Sequence, residues 1–271
     1  MKNFLVIGNP IKHSLSPLVH NYWISRDKIP AKYEKKQLDE KQLPQIIEEM
    51  RENKISGVNI TVPFKQKIIP WLDELTEIAR ATNSVNTLYK KNNKIIGDNT
   101  DVFGFKSSLQ KQISKIKMKS ALLIGAGGVA PSIIFALKEL DFEEIYVSNR
   151  TNQKFEALKN KFGPILKQIL WEDLEYKNIP VDLVINSTSL GLNSQDQVPF
   201  NFETIKKNTI FYDVIYNPDQ TNFLKKAKSK GNESINGLMM FLYQAQLAYK
   251  IWTGIEPQID EELINLIKNN K

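Results

Sequence analysis

Apolar and polar residues alternate along this chain in blocks that predict short buried strands separated by amphipathic helices. In the first third, the apolar runs typical of strands are Phe4–Ile7, Val58–Thr61 and Ser84–Tyr89. The helical patterns in the same region are Pro17–Arg26, Asp39–Arg51 and Asp73–Ala81. This alternation of strand and helix favours an α/β fold.

A second block with the same alternation runs from about Phe105 to Ser234. Its predicted strands are Ala121–Ile124, Ile145–Ser148, Leu183–Asn186 and Ile210–Val214. The tail carries helical patterns at Asn236–Trp252 and Asp260–Lys268. We therefore predict two α/β domains with a cleft between them: a discontinuous domain of residues 1–104 plus 237–271, and a doubly wound, Rossmann-type domain of residues 105–236.

The residue content limits the chemistry that is open to the chain. Its 271 residues include no cysteine and only two histidines, His13 and His20. Disulfides, zinc ribbons, iron–sulfur clusters, a thiol nucleophile and a multi-histidine metal site are therefore excluded, and we predict no metal site. The chemistry falls to lysine, carboxylates, hydroxyls, amides or a bound cofactor.

The chain is moderately basic: it has 37 Lys and Arg residues and 30 Asp and Glu residues, which gives a net charge of +7. Basic stretches such as Lys111–Lys119 and Lys225–Lys230 are not interleaved with stacking aromatic residues. They are typical of solvated helix faces, so we expect no nucleic-acid partner. The positive electrostatic field of these residues would nevertheless attract an anionic small molecule.

No segment predicts targeting or membrane insertion. The first apolar run is too short for a signal peptide. The uncharged stretch Ser120–Leu137 contains Gly-Ala-Gly-Gly and Pro131, which fit a strand, turn and helix better than a spanning helix. We expect a cytoplasmic protein with no membrane contact; the sequence leaves the oligomeric state open, with a homodimer as one assembly.

A glycine-rich segment stands between a predicted buried strand and a predicted helix at Ile133–Leu140. Gly125-Ala126-Gly127-Gly128-Val129-Ala130 has the pattern G-x-G-x-x-A, in which glycines let the backbone approach a pyrophosphate at a helix N-terminus. Pro131 fits the first helical turn, where no N–H is required. This context favours a dinucleotide site over the alternative, a turn that binds nothing.

The next predicted strand ends in Asn149-Arg150-Thr151, with Lys154 one turn further on. An NAD enzyme usually has an acidic residue at this position to bind the ribose 2′-hydroxyl. A guanidinium, an ammonium and a hydroxyl suit a 2′-phosphate instead. The segment therefore predicts NADP, and the alternative is a helix cap flanked by surface cations.

Short polar side chains also cluster where strands of the first block end. The segments are Ser14–Pro17, Asn59–Lys65, Ser84–Leu88 and Gly97–Asp101. Such loops are where α/β proteins carry their sites. Each segment alone also has a structural interpretation: Ser16 before Pro17 fits a helix N-cap, and the others fit turn chemistry.

Taken together and in this order, these segments resemble shikimate dehydrogenases. The shared patterns are G-N-P-I-x-H-S-x-S-P, N-I-T-V-P-x-K, S-V-N-T, G-D-N-T-D-x-x-G, G-A-G-G, N-R-T, N-S-T-x-x-G and Y-D-V-x-Y. The resemblance covers nearly the whole chain. It implies a substrate domain, an NADP domain and reversible reduction of 3-dehydroshikimate to shikimate in chorismate and aromatic amino-acid biosynthesis.

The resemblance also implies roles for individual residues. Lys65 and Asp101 match the catalytic pair, which also contacts substrate. The further substrate-binding positions are Ser14, Ser16, Thr61, Asn86, Tyr216 and Gln244. The cofactor-binding positions are Glu77, Gly125, Ala126, Gly127, Gly128, Val129, Asn149, Arg150, Thr151, Lys154, Val214 and Gly237. For Glu77, a solvated helix face is an equally good account.

Two positions depart from the family pattern: Lys154 stands where arginine is common, and Val129-Ala130-Pro131 is bulkier than usual. The chemistry itself needs a proton donor beside the hydride acceptor, and Lys65 is the best candidate, as a formal acid or as an electrostatic stabiliser. Two other functions stay open: a quinate/shikimate dehydrogenase that accepts NAD, and a non-enzymatic NADP-binding regulator, which would have no reason to keep Lys65 with Asp101.

Overall fold

Two separate sheets, each accompanied by helices, make up the computed structural model of this chain. The structure describes residues 1–112, 118–203 and 205–270; residues 113–117 of the basic stretch Lys111–Lys119 lie outside the described residues. The chain divides into a first unit, Met1–Gly104 with Leu242–Lys271, and a second unit, Phe105–Phe241. Both units are α/β, which confirms the predicted fold class.

The first unit is built on a mixed six-stranded sheet. Its strands are β1 (Lys2–Gly8), β2 (Ala31–Gln37), β3 (Gly57–Ile60), β4 (Glu74–Leu75), β5 (Thr87–Lys91) and β6 (Lys94–Asp98). They are arranged in the order β2-β1-β3-β5-β6-β4, with β1, β2 and β3 parallel and β5 antiparallel to both its neighbours. The helices that begin in this part of the chain are α1 (Ser16–Arg26), α2 (Leu43–Arg51), α3 (Glu77–Thr82) and α4 (Asp101–Gln112).

The second unit is a fully parallel six-stranded sheet. Its strands are β7 (Ser120–Ile124), β8 (Glu144–Ser148), β9 (Leu166–Gln168), β10 (Leu183–Asn186), β11 (Ile210–Asp213) and β12 (Glu233–Ile235). Its helices are α5 (Ala130–Glu139), α6 (Asn152–Phe162) and α7 (Asn222–Ser229). The spatial order β9-β8-β7-β10-β11-β12 is the dinucleotide-binding order, which reverses between β7 and β10.

The C-terminal helices α8 (Leu238–Thr253) and α9 (Glu261–Asn269) return the chain to the first unit. The indole of Trp252 stacks on Phe4 of β1 with ring centroids 4.9 Å apart, and its Nε1 donates to the carbonyl of Leu88 at 2.9 Å. A Cβ at Gly57 would lie 2.4 Å from that indole, so glycine is required there. These contacts fix α8 against the sheet of the first unit.

Three local predictions were wrong at element boundaries. The helix expected at Asp73–Ala81 begins only at Glu77, because Asp73 binds the backbone N–H of Ile95 at 2.7 Å and Glu74–Leu75 pairs with β6 as a strand. The strand expected at Ser84–Tyr89 begins at Thr87. The helix expected at Asp39–Arg51 starts as a 3-10 turn, Glu40–Gln42, and becomes α-helical at Leu43.

Candidate active site

Lys65 and Asp101 form an ion pair in the first unit, with Nζ and Oδ2 2.5 Å apart. Their side chains are only 12 % and 9 % exposed, so the pair is shielded from bulk water. The carbonyl of Lys65 accepts from the N–H of Val85 at 2.9 Å, which fixes the backbone beyond β3. Asp101 is the first residue of α4 rather than a loop residue, and its N–H donates to Asn99 at 3.0 Å.

Asn86 connects this ion pair to two further polar side chains. Its Nδ2 donates to Asp101 Oδ1 and to Thr100 Oγ1, both at 2.9 Å, and lies 3.4 Å from Gln244 Oε1 of α8. Its Oδ1 accepts from the N–H of Thr100 at 2.7 Å. Because Asn86 is only 3 % exposed, these bonds fix its orientation. Four of the predicted residues (Lys65, Asn86, Asp101 and Gln244) therefore lie in one hydrogen-bonded cluster.

Ser16 lies beside a residue that the sequence did not single out. It is buried near the Tyr33 hydroxyl, which donates to Asn59 Oδ1 at 2.7 Å. Burial raises the pKa of Tyr33, so the phenol stays protonated and keeps its donor role. The N-cap interpretation of Ser16 is wrong, because α1 begins at Ser16, Leu15 is its N-cap and no side chain caps it. Ser14 Oγ instead accepts from the N–H of Ser16 at 3.3 Å.

Asn59 connects Tyr33, which lies beside Ser16, to Asn86. Its Nδ2 donates to the carbonyl of Asn86 and to Thr87 Oγ1, both at 3.1 Å. Thr61 follows on the same segment, where its N–H donates to Ile7 at 2.9 Å and its methyl group lies 2.5 Å from the position of a Cβ on Gly8. A side chain at position 8 would therefore displace Thr61.

The predicted glycine-rich loop connects β7 to α5 in the second unit. Gly125 has φ of +105°, and a Cβ there would meet Thr188 at 2.8 Å and the Ser187 hydroxyl at 2.9 Å. Gly127 and Gly128 are exposed at the N-terminus of α5, and Pro131 lies in its first turn. Exposed glycines at the start of a ten-residue helix fit the close approach of a pyrophosphate.

The segment after β8 is fixed to this loop through Asn149. Its Oδ1 accepts from the N–H of Ala126 and its Nδ2 donates to the carbonyl of Thr151, both at 3.0 Å. Arg150, Thr151 and Lys154 are exposed. Thr151 is the N-cap of α6, but its hydroxyl makes no capping hydrogen bond, which weakens the purely structural interpretation of this segment.

Val214 and Gly237 meet through their backbones. A Cβ on Gly237 would lie 2.1 Å from the carbonyl oxygen of Val214, so glycine is required at position 237. The N–H of Gly237 donates to Ile215 at 3.1 Å. Tyr216 follows on the same turn and stacks on Phe241 with centroids 4.6 Å apart.

Glu77 has a simpler explanation than cofactor binding. It is exposed in the first turn of α3, where a carboxylate stabilises the helix dipole. Its proposed contact with the cofactor stays a prediction.

Three residues of the site were missed by sequence reasoning: Tyr33, Asn59 and Thr100. Asn59 and Thr100 stand inside quoted segments, so their polar character was a usable signal. Tyr33 lies on a strand whose other residues are mostly charged, and nothing in that pattern indicates a buried donor.

Within the described residues, none of the helices is both long and apolar enough to cross a membrane.

Three family models match the chain in succession. They are the shikimate dehydrogenase substrate binding domain at residues 6–88, shikimate / quinate 5-dehydrogenase at residues 107–213, and the shikimate 5′-dehydrogenase C-terminal domain at residues 237–261.

Similar proteins cover the chain from end to end. A shikimate dehydrogenase (NADP(+)) of Pelagibacter ubique is 55% identical over 266 residues, 98% of each chain. A Thermus thermophilus shikimate 5-dehydrogenase, solved with NADP(H) and shikimate, is 32% identical with a TM-score of 0.88 and full coverage of both chains. A quinate dehydrogenase of Corynebacterium glutamicum, solved with NAD, is 25% identical with a TM-score of 0.90 and 99% coverage of both chains.

Proposed function

This chain belongs to the shikimate dehydrogenase family, and from that membership we propose that it catalyses the reversible, NADPH-dependent reduction of 3-dehydroshikimate to shikimate. The observation that carries the proposal is the shielded Lys65–Asp101 pair, bonded to Asn86 and, through it, to Gln244. A protein that only bound NADP would have no use for this cluster. The non-enzymatic alternative is therefore disfavoured.

The reaction requires a hydride on the carbonyl carbon and a proton on the carbonyl oxygen. NADPH supplies the hydride when bound. Lys65 holds an ammonium proton at Nζ for the oxygen, and its charge stabilises the alkoxide as it forms. Asp101 keeps that ammonium in place through Oδ2, while Asn86 fixes Oδ1, so the carboxylate cannot rotate away from Lys65.

The remaining substrate contacts follow the family pattern. Ser14 and Ser16 bind the substrate carboxylate, with Tyr216 beside it, and Thr61, Asn86 and Gln244 bind its hydroxyl side. The burial of Ser16 beside Tyr33 supports this assignment, because it restricts the positions that are open to the serine side chain. Residues 1–104 with 237–271 then form the substrate domain.

NADP fits the second unit. The exposed glycines at the start of α5 would hold its pyrophosphate, and Arg150 with Lys154 would hold the 2′-phosphate. Asn149 contributes by fixing the loop, since both ends of its amide are bonded within the protein. Val214 and Gly237 contribute backbone at the nicotinamide end. The cytoplasmic location and the homodimer stay predictions.

The second candidate is quinate oxidation with NAD, which is favoured by the likeness to the quinate dehydrogenase of Corynebacterium glutamicum. Steady-state rates with shikimate and with quinate, each with NADP and with NAD, separate the two. We expect shikimate with NADP to give the highest kcat/KM. A higher value for quinate with NAD would favour the second candidate, and no oxidation in any combination would contradict both.

A further inference from the structure

Asp213 is a buried carboxylate whose hydrogen-bond donors are uncharged. It ends β11, is fully buried, and accepts from Thr221 Oγ1 at 2.6 Å, Asn186 Nδ2 at 3.1 Å and the N–H of Ile215 at 3.0 Å. Burial raises its pKa to about 6, so the ionised form is disfavoured relative to water. Burial of this carboxylate is unfavourable, and the positions of its three hydrogen-bond donors indicate what it does in the fold.

Two of the three donors come from elements that are themselves fixed. Asn186 ends β10, and its Nδ2 also donates to the carbonyl of Leu190 at 3.0 Å. Thr221 is the N-cap of α7, so its oxygen accepts from the helix while its proton goes to Asp213 Oδ2. The carboxylate is therefore anchored to a strand end and to a helix start.

The third donor belongs to the turn that carries two predicted site residues. Asp213 Oδ1 holds the N–H of Ile215, the residue between Val214 and Tyr216. The same turn is bonded on both sides, from the N–H of Val214 to Asn186 at 3.0 Å and from the N–H of Gly237 to Ile215 at 3.1 Å. The Asp213 side chain adds a further link from this turn to the end of β10 and the start of α7.

We propose that Asp213 is a positioning residue that fixes the turn Val214–Tyr216, and with it the Val214 backbone and the Tyr216 ring, to which the family pattern assigns cofactor and substrate contacts. This inference rests on the proposed function. It requires the geometry of the acceptor rather than its charge, because Oδ1 receives two of the donors and Thr221 can donate or accept.

The test compares Asp213→Ala with Asp213→Asn in the full chain. Alanine removes the acceptor, so we expect the shikimate KM to rise and kcat to fall, which together lower kcat/KM by about 5- to 150-fold, the range for an unsatisfied buried donor. Asparagine keeps Oδ1 and presents an N–H to Thr221, so it should restore both constants to within about twofold of wild type. The Kd for NADP, measured by calorimetry, should change little in either variant, because the adenosine end is bound elsewhere.

Asp182→Ala is the matched control. Asp182 precedes β10, at the opposite end of the strands from Asp213. It accepts from the backbone N–H groups of Lys119 and Ser120 at 2.9 and 3.1 Å. Its loss should lower Tm and leave the kinetic constants of the folded enzyme unchanged. If Asp213→Ala does not fold, Thr221→Val, which removes one donor, should raise the shikimate KM by about threefold.

Unchanged constants in the Asp213→Ala or Thr221→Val variant, or an Asp213→Asn variant as impaired as the alanine variant, would overturn the role of Asp213. The same kinetic loss in Asp182→Ala would also overturn it, since any destabilised sheet would then suffice. Inactivity of the wild-type chain with shikimate and NADP would instead contradict the proposed function.

Discussion

At the scale of single residues, Lys65 and Asp101 differ in how far their hydrogen-bonding capacity is used within the protein. Both oxygens of Asp101 are engaged, one by Lys65 and one by Asn86. Lys65 Nζ carries three protons and donates one to Asp101 among the contacts of the described residues. Lysine is thus the member of the pair that retains donors for a substrate oxygen, and Asp101 orients it.

Lys65→Met removes the charge and the proton donor but keeps the length of the side chain. We expect kcat to fall by roughly 10²–10⁴-fold, as on loss of a general acid, with the Kd for NADP unchanged. Asp101→Asn should lower kcat and raise the shikimate KM. We expect the two residues to act as a unit, so the double variant should be little worse than Lys65→Met alone.

Lys67→Met is the control, because Lys67 is exposed and pairs with Glu40 on the surface. Its kinetic constants should match those of the wild type. Multiplicative losses in the double variant would show that Lys65 and Asp101 act independently, and a near-normal kcat in Lys65→Met would remove lysine from the chemistry.

His20 gives the folded state a defined sensitivity to acid. It is 1 % exposed, stacks on Tyr33 with centroids 4.2 Å apart, and burial lowers its pKa to about 3. Below about pH 6.5 the unfolded chain takes up a proton that the folded chain cannot, so stability is complete above that pH and is lost as the pH falls. Between pH 6.5 and 5, His20 should cost about 2 kcal/mol of unfolding free energy.

Urea unfolding at pH 7.5 and 5 measures this cost. His20→Leu removes the titrating group. Between the two pH values, its unfolding free energy should therefore fall by about 2 kcal/mol less than that of the wild type. His13→Gln removes an exposed histidine and should behave as the wild type does. Equal pH slopes in all three proteins would show that His20 titrates normally.

At the scale of elements, the sequence predicted the strands with continuous apolar runs and failed where tertiary contacts decide. β7 and β10 were recognised because they contain the continuous apolar runs 121–124 and 183–185. β2 was missed because most of its residues are charged and only one side chain, that of Tyr33, is buried, as an edge strand allows. The helix predicted from Asp73 was shortened by pairing with β6, which lies too far along the chain for local propensity to report.

The site was predictable to a similar extent. Motif order singled out residues that the structure brings into one cluster, yet it could not indicate the bonds among them, such as that between Asn86 and Gln244, which are 158 positions apart. Tyr33 and Asn59 were missed for the same reason. Their importance depends on which side chains meet them in the fold.

We propose that the segment after β8 determines which cofactor the second unit prefers. Arg150 and Lys154 offer cations to a 2′-phosphate, so NADP should be preferred over NAD by at least about tenfold, or about 1.4 kcal/mol. Arg150→Ala should raise the NADP KM and leave the weak turnover with NAD nearly unchanged. Steady-state titration with each cofactor measures the change.

Lys228→Ala removes the same charge from an exposed position on α7, and so separates a local contact from the general field of the protein. We expect its NADP KM to stay at the wild-type value. Equal losses with NADP and NAD in Arg150→Ala would mean that Arg150 supports the segment rather than the phosphate.

At the scale of the whole molecule, we expect the first unit to bind the substrate and the second unit to bind the cofactor. The first unit draws its site from both ends of the chain, since Asn86 and Gln244 meet although the second unit lies between them in sequence. The second unit is continuous and carries the glycine-rich loop with the segment that Asn149 ties to it. Each ligand should therefore stabilise a different set of backbone amides.

Hydrogen exchange with one ligand at a time tests this division. A ligand at 100 times its Kd stabilises the bound form by about 2.7 kcal/mol, which slows local opening up to about 100-fold. NADP should slow exchange at Gly125 and Ala126, whose N–H groups bind Ser148 and Asn149. Shikimate should slow exchange at the backbone amide of Thr100, which binds Asn86. The Lys119 and Ser120 amides, which bind Asp182 at the opposite ends of the strands, should respond to neither ligand. If NADP slowed exchange at Thr100 and had no effect at Gly125, the assignment of the cofactor to the second unit would be contradicted.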